Sequence, residues 1–212
     1  MTTNDAGGAP LPADWEARYA STGGSYFFGT EPSALGRLTV HYWRVCYGDR
    51  PARALDLGCG EGRDSVFFAE QGWRVTALDK SQTAIQRACE LAEQRGVQLE
   101  AAICADLREC PPVEQFDLVF AGCSIGALGG DALAFLSILR HRAPAGCLHA
   151  IRTPTREAWG GEDPAGLYRF DRNELKFEYR DWRLLYYGED ILYVPHMDRM
   201  ASFADVIAQK PA

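Results

Sequence analysis

Residues 54–65 of the chain read ALDLGCGEGRDS, a short apolar strand followed by a glycine-rich turn and the start of a helix. Glycines at positions 58, 60 and 62 permit a tight turn and let a ligand approach the backbone closely. In a doubly wound α/β sheet such a turn lies at the carboxyl edge of the strands, where ligands bind. The stretch therefore predicts a ligand-binding α/β sheet.

The spacing of the glycines distinguishes between kinds of nucleotide site. In a dinucleotide-binding turn, G-x-G-x-x-G, the third glycine would fall at position 63, which is Arg63 here. The observed spacing is G-x-G-x-G, so no pyrophosphate cradle is predicted. A P-loop is excluded because no Gly-Lys-Ser/Thr follows the glycines. A nicotinamide-dependent oxidoreductase is therefore disfavoured.

Short apolar strands alternate with helices from Ala52 onward, which predicts a parallel sheet covered on both faces. The predicted strands are 54–57, 73–78, 99–105, 116–121 and 147–151, with helices at 62–71, from the cap Ser81 to Gly96, and 131–141. Two further strands, 182–187 and 202–209, follow without a long helix between them, which is typical of an antiparallel pair. We predict a Rossmann-like, doubly wound, mostly parallel sheet with an antiparallel edge hairpin at the C-terminus.

The length of 212 residues fits a single domain, 1–212. Within it we predict four parts, which are a flexible tail (1–12), an N-terminal cover (13–50), a cofactor-binding core (51–152) and a C-terminal acceptor-side region with the closing hairpin (153–212).

The formal net charge of −7 disfavours partners with phosphate backbones and anionic membranes. The 7 cysteines form no C-x-x-C pair and have no zinc-finger spacing, so they predict reduced thiols, no metal site and a cytoplasmic location. The expected partner is a small-molecule acceptor, with no nucleic acid and no membrane, and the protein is expected to be a monomer or homodimer.

Acidic residues follow the second and third predicted strands. Asp79 lies about 20 residues beyond the first glycine, where a carboxylate can accept both hydroxyls of a ribose. Asp106, which precedes Leu107, can accept a hydrogen bond from the exocyclic amine of an adenine. Each Asp alone is equally explained as a helix cap or loop acid, but signals at successive strand ends indicate an adenosyl ligand.

The run LDLGCGEGRDS…VTALDKS…ADL…FDLVFAG resembles the class I S-adenosylmethionine-dependent methyltransferases over about residues 52–151. The resemblance implies that S-adenosyl-L-methionine is the cofactor. The positions it implies as cofactor contacts are Gly58, Cys59 and Gly60 at the methionine part, Asp56 at the amino group, Asp79 at the ribose, and Asp106 with Leu107 at the adenine. We add Lys80 and Cys123, which follow the second and fourth strands, although the preferred interpretation of Cys123 is a small buried residue.

A narrower resemblance is carried by DWEARY…YFFGTEPS, GCGEGRDSVFFAEQGW and DWRLLYYGED…SFADVIAQK, which are similar to the tellurite-resistance and related thiol methyltransferases. It implies that the N-terminal segment folds over the cofactor and brings Trp15, Arg18 and Tyr19 to its methionine end. The sequence CSIGAL that begins at Cys123 departs from this pattern, being smaller and richer in glycine.

The acceptor side is predicted from topology, because loops after parallel strands emerge at the carboxyl edge. If the final strand is antiparallel, the connection Glu189–Ala201 lies there too. The family places a His and an Arg before this strand, which suggests His196 as proton acceptor and Arg199 as the group that holds an anionic acceptor. Arg152 is a further candidate for lining the site.

These observations favour an enzyme that methylates a small soft nucleophile, such as a thiol, a selenol or a tellurium or selenium oxyanion. The alternatives are an N-, O- or C-methyltransferase of a small natural product and a non-catalytic S-adenosylmethionine-binding module. The acceptor atom, the pathway and the need for a general base stay open from sequence alone.

Overall fold

Seven strands form one mixed sheet in the computed structural model, which describes residues 14–157, 166–194 and 198–212. The strands are β1 Arg53–Leu57, β2 Arg74–Asp79, β3 Ala101–Cys104, β4 Leu118–Gly122, β5 Leu148–Pro154, β6 Arg183–Val194 and β7 Arg199–Gln209. Their order is β3-β2-β1-β4-β5-β7-β6, with β1 to β5 parallel and the β6–β7 hairpin antiparallel at one edge. The predicted fold class is confirmed.

The α-helices of the described residues are α1 Trp15–Ala20, α2 Ala34–Tyr47, α3 Arg63–Glu70, α4 Gln82–Gln94, α5 Ala132–Arg142 and α6 Glu174–Glu178. Ser81 caps α4 as predicted, because its side chain accepts the N–H of Ala84 at 3.0 Å. None of these helices is both long and apolar enough to cross a membrane.

Helices cover both faces of the sheet, and each face has its own apolar core. Leu35 and Trp43 of α2 and Phe68 of α3 are buried on one face with Trp73 and Phe120. The other face packs α5 and α6 on alternating strand residues; its buried members include Leu55, Val119, Leu136, Leu175 and Val206. Because alternate side chains of each strand are buried under helices on the two faces, the carboxyl edge of the parallel strands is the place left for a ligand-binding site.

Several predicted boundaries differ from the structure, and β5, β6 and β7 are all longer than predicted. The third strand covers only Ala101–Cys104, within the predicted 99–105. The predicted connection Glu189–Ala201 is largely strand, because β6 and β7 stay paired from Asp190 opposite Phe203 to Val194 opposite Arg199. The hairpin therefore continues about four residues beyond the end of β5, whose Pro154 also pairs with Phe203.

A histidine lies in the core beneath the edge hairpin. His149 of β5 is fully buried, and its Nδ1 shares a 2.8 Å hydrogen bond with the Tyr179 hydroxyl. Its Nε2 has no hydrogen-bond partner within the described part of the chain. Burial, with smaller effects from Arg140 and Lys210, lowers the pKa of His149 to about 3. The folded protein thus keeps this imidazole neutral well below its ordinary pKa.

We expect this histidine to weaken the protein in acid. Because the pKa of His149 is lower in the folded protein than in the unfolded chain, the free energy of unfolding is unaffected by the titration of this residue above pH 6.5. It decreases as the pH falls from 6.5 toward about 3. The slope is about 1.4 kcal/mol per pH unit, because the unfolded chain binds one more proton. Urea unfolding from pH 7 to 4 should show a flatter dependence for His149→Phe than for the unmodified protein. His41, which is exposed on α2, is the control, and His41→Gln should keep the original slope. Equal slopes for all three proteins would contradict this role.

Candidate active site

The glycine-rich turn leaves β1 at the carboxyl edge of the sheet. Gly58, Gly60 and Gly62 have φ values of 72°, 55° and 85°, in the left-handed region that other residues disfavour. A Cβ atom on Gly58 would lie 2.2 Å from Cβ of Ser124, and one on Gly60 would lie 2.9 Å from the Tyr19 hydroxyl. The turn has no room for side chains at Gly58 and Gly60.

Asp79 ends β2 beside this turn, and only 8% of it is exposed. Its carboxylate accepts the N–H of Gly60 at 2.9 Å and the N–H of Ser81 at 3.0 Å. Burial raises the pKa of Asp79, and these backbone hydrogen bonds oppose the rise. The carboxylate is thus fixed against the turn with lone pairs left for two ribose hydroxyls. Lys80 follows it with an exposed side chain.

Asp106 and Leu107 lie at the end of the next strand, β3. The Asp106 side chain is 42% exposed and forms an ion pair with Arg108 at 3.1 Å. The hydrogen bond from the Arg108 backbone is the main cause that lowers the pKa of Asp106. Leu107 is buried, at 9% exposure. Together they present an ionised carboxylate beside an apolar side chain, a combination suited to an adenine ring and its amine.

Asp56 lies beneath the turn rather than in the open cleft. It is 1% exposed, and its Oδ2 accepts the Ser65 hydroxyl of α3 at 2.5 Å. Burial raises its pKa to about 8 despite this hydrogen bond. The structure therefore places Asp56 where it ties the end of β1 to the start of α3.

The two candidate cysteines lie within the turn and just after the neighbouring strand β4. Cys59 is buried, and its Sγ contacts the Gly60 carbonyl at 3.3 Å. Cys123 follows β4 with φ of 71°, and its N–H donates to the Arg152 carbonyl at 2.9 Å. Burial raises the pKa of the Cys123 thiol to about 12, so it is not a thiolate at neutral pH.

The N-terminal cover brings an aromatic cluster to the turn. Tyr19 is buried against Gly60, and Trp15 stacks on it with ring centroids 5.7 Å apart. The Arg18 guanidinium lies 4.5 Å from the centroid of Phe27. The three predicted cover residues thus lie together above the glycines. Aromatic faces there can attract a sulfonium cation.

A buried ion pair holds this cover in place. Arg87 of α4 lies 2.6 Å from Glu61 of the turn, and their side chains are 13% and 3% exposed. Glu61 accepts the backbone N–H of Phe27 at 2.5 Å, and Arg87 donates to the Ser25 carbonyl at 2.8 Å. Glu16 of α1 also accepts the Ser81 hydroxyl at 2.6 Å. The glycine turn, α4 and the cover therefore share one network.

Loss of this network is expected to loosen the cover. Arg87→Met leaves Glu61 buried without its cation, so the cover should open more often and be cleaved near Gly23 about tenfold faster or more. Bound cofactor should slow cleavage in both proteins. The control is Arg142→Met, which breaks an exposed ion pair with Glu114 on the far side of the sheet. Limited proteolysis with mass spectrometry measures the rates. A cleavage rate that is the same with and without cofactor would contradict the cover assignment.

The two predicted acceptor residues lie at the tip of the edge hairpin. Arg199 is the first residue of β7, is half-buried and pairs with Val194. His196 lies outside the described residues, so the geometry of this pair is not defined. Its roles stay predictions.

The structure adds a polar pair that sequence patterns identified only in part. Arg152, at the end of β5, donates to both carboxylate oxygens of Asp205 in β7, at 2.7 and 2.6 Å. Arg152 was a predicted lining residue, but Asp205 was missed because it lies within an apolar strand. Only the register of β5 against β7 could have identified it.

Taken together, the edge presents a glycine-rich turn, a fixed carboxylate at the ribose position, a partly exposed carboxylate at the adenine position and an aromatic cover. This donor and acceptor set fits S-adenosylmethionine. No cluster of His, Cys, Asp or Glu suited to a metal ion occurs in residues 14–157, 166–194 and 198–212.

Comparison with known proteins supports the same cofactor. The sequence model of the family described as tellurite resistance protein TehB matches residues 46–202. The "Probable S-adenosyl-L-methionine-dependent methyltransferase TehB" of Haemophilus influenzae is 26% identical over 177 residues, which cover 76% of this chain but 58% of that protein. The crystal structure of TehB from H. influenzae superposes with a TM-score of 0.69 and 22% identity, covering 82% of this chain and 62% of that one.

A third similarity extends over nearly the whole chain. It is to the Burkholderia thailandensis 1,6-didemethyltoxoflavin-N1-methyltransferase, a structure with bound S-adenosylhomocysteine. The TM-score is 0.64 at 24% identity, covering 96% of this chain and 93% of that one. At this identity the likeness establishes the fold.

Proposed function

The chain belongs to the TehB family, and from that premise we propose that it transfers a methyl group from S-adenosylmethionine to the sulfur, selenium or tellurium atom of a small acceptor. The match covers residues 46–202, which include the glycine turn, all parallel strands after it and most of the edge hairpin.

The cofactor would be held by residues at the ends of three adjacent strands. The backbone at Gly58 and Gly60 would border its methionine part, Asp79 would accept its ribose hydroxyls, and Asp106 with Leu107 would receive its adenine. When bound, S-adenosylmethionine supplies an electrophilic methyl group on a sulfonium sulfur. The cover residues Trp15 and Tyr19 would exclude water from that end.

One observation carries the choice of a soft acceptor. The buried carboxylates at this edge are each engaged by a neighbour. Asp79 accepts the Gly60 N–H, and Glu61 and Asp205 pair with Arg87 and Arg152. Asp64, at the start of α3, accepts the Ser33 N–H at 2.7 Å. None of these four is placed as a free general base. An acceptor that is nucleophilic without strong base help fits this cleft best.

Thiols and selenols meet that requirement. A thiol pKa of about 8.5 leaves some thiolate at neutral pH. The thiol first releases its proton to water. The thiolate sulfur would then form a bond to the methyl carbon, while the bond from that carbon to the sulfonium sulfur breaks and its electron pair stays on the sulfonium sulfur. Alignment and exclusion of water then provide most of the acceleration. Arg199 is retained in this proposal as an anion-binding residue, and proton transfer to His196 is the alternative to release into water, which the pH dependence of the reaction distinguishes.

The pH dependence of a series of thiols tests the proposal. We expect kcat/KM to rise with pH up to the pKa of each acceptor thiol, so that the midpoint moves from one thiol to the next. S-adenosylhomocysteine release measures the rate. A midpoint between pH 6 and 7 that is the same for every thiol would instead assign deprotonation to a protein group such as His196. Methylation of amines or phenols with no methylation of thiols would overturn the proposal.

A further inference from the structure

A transverse row of four residues crosses the carboxyl edge of the sheet. Gly122 of β4 pairs with Arg152 of β5, Arg152 pairs with Asp205 of β7, and Asp205 pairs with Gly188 of β6. Gly122 is exposed although β4 lies in the middle of the sheet. The row therefore places the side chains of Arg152 and Asp205 next to an exposed glycine at the carboxyl edge.

The Arg152 and Asp205 side chains lie on the same side of the sheet as α2 and α3. Leu148 and Ala150, which alternate with Arg152 along β5, belong to the core packed on these helices. Tyr186 of β6 lies on this side too, because it belongs to the same cluster. The Arg152 guanidinium also lies 5.6 Å from the centroid of Phe203. The rings of Tyr186 and Phe203 thus lie on the same side of the sheet as the Arg152–Asp205 pair.

In the Arg152–Asp205 ion pair, the carboxylate binds the side of the guanidinium that carries Nε. Arg152 donates from Nε to Oδ1 of Asp205 and from Nη2 to Oδ2. The guanidinium has five N–H groups, so both N–H groups of Nη1 and the second of Nη2 remain. None of these donates to a described residue. They form a second, end-on fork, the geometry that matches a carboxylate or oxyanion.

The pair is also desolvated, since the Arg152 and Asp205 side chains are 18% and 8% exposed. A buried ion pair adds little stability compared with apolar residues of similar size. Its position in a ligand cleft therefore needs another explanation. Asp205 fixes the orientation of the guanidinium, which is what a rigid recognition fork requires.

The distance to the glycine turn suits a small acceptor. Asp56 of β1 pairs with Phe120 of β4, and Phe120 pairs with Ala150 of β5. Two residues further on, Gly122 and Arg152 lie on adjacent strands, and Gly58 follows the end of β1, the strand on the other side of β4. Two strand spacings, about 10 Å, therefore separate the start of the turn from the backbone of Arg152. A molecule of a few carbon atoms spans the gap between the arginine fork and the turn.

We propose that Arg152 anchors an anionic group of the acceptor through its end-on fork, and that Asp205 is its positioning residue. The acceptor is then a small thiol or selenol that carries a carboxylate, or a chalcogen oxyanion. This inference rests on the proposed function for the reacting atom, but not for the anion site itself.

Two thiols of similar size test the anchor: 3-mercaptopropionate, which is anionic, and 2-mercaptoethanol, which is neutral. Arg152→Gln should raise KM for the anionic thiol about tenfold or more, and leave its kcat and both constants for the neutral thiol within about twofold. Asp205→Asn should raise the same KM by less. Arg142→Gln, from the exposed pair with Glu114, is the matched control and should change neither.

Binding provides a readout that does not require turnover. Calorimetry on protein loaded with S-adenosylhomocysteine should show 3-(methylthio)propionate binding that Arg152→Gln weakens about tenfold. If that variant does not fold, the double variant Arg152→Leu/Asp205→Leu removes the fork without leaving a buried charge. Unchanged binding and unchanged KM in a folded variant would overturn the anchor. Binding that depends on Arg152, without methylation of either thiol, of selenite or of tellurite, would support the anchor and overturn the proposed function.

Discussion

Gly58→Ala is expected to destabilise the protein by about 2–5 kcal/mol and to abolish measurable cofactor binding. Part of the loss is the cost of a left-handed backbone for alanine, about 1–2 kcal/mol. The rest comes from overpacking, about 1–3 kcal/mol, because the new Cβ would lie 2.2 Å from Cβ of Ser124. Relief of that contact must move either the glycine turn or the segment after β4, and both border the cleft.

Gly72→Ala separates the two contributions. Gly72 has a φ of 79°, close to the 72° of Gly58, but a Cβ there would meet nothing within 4 Å. This control should lose only about 1–2 kcal/mol and bind cofactor normally. Urea unfolding and calorimetry with S-adenosylhomocysteine measure both quantities. Equal losses of stability and unchanged binding in the two variants would contradict the account of the turn.

Asp79→Ala is expected to weaken cofactor binding about 100-fold or more. Each charge-assisted hydrogen bond to a ribose hydroxyl contributes roughly 1.5–3 kcal/mol, and two such bonds are lost. The variant also releases the Gly60 N–H, which the carboxylate accepts at 2.9 Å, so the turn itself loses a support. Calorimetry with S-adenosylmethionine and S-adenosylhomocysteine measures the change.

Asp117→Ala is the matched control for Asp79→Ala. Asp117 precedes β4 and accepts the Arg53 N–H at 2.9 Å, so it also supports a strand end, but at the opposite edge of the sheet. Its loss should lower stability while the cofactor affinity stays unchanged. Equal effects of both variants on affinity would show that Asp79 acts only through the fold. Tight binding of NAD by the unmodified protein, without S-adenosylmethionine binding, would contradict the cofactor assignment.

The sequence predicted the parallel part of the sheet because apolar strands end in chemically distinctive residues. The turn at Gly58 and the acids Asp79 and Asp106 each follow a strand, and parallel strands bring their carboxyl ends to one edge. The structure places all three at that edge. Periodicity and strand ends are local features, so one sequence is enough to identify them.

The edge hairpin was less predictable. The stretch from Asp190 to Tyr193 is exposed and lacks the alternation of a half-buried strand. Its strand conformation comes from pairing with β7 beyond the end of β5, which local patterns do not contain. The expected connection from Glu189 to Ala201 is therefore strand over most of its length.

Long-range polar pairs were the hardest part to predict. Glu61 and Arg87 are 26 residues apart, and their contact depends on the packing of α4 beside the turn. Arg152 and Asp205 are 53 residues apart and meet only through the register of antiparallel strands. Such contacts are set by tertiary structure, so the cover network and the Arg152–Asp205 ion pair could be found only from the fold.

Identification of the methylated product tests the proposed function most directly. The purified protein is incubated with S-adenosylmethionine and an equimolar mixture of a thiol carboxylate, selenite, tellurite, an amine and a phenol, and S-adenosylhomocysteine and methylated products are quantified by mass spectrometry. We predict S-adenosylhomocysteine release in equal amount to an S-, Se- or Te-methylated product. Release matched by an N- or O-methylated product, or cofactor binding without any release, would contradict the assignment of a soft acceptor.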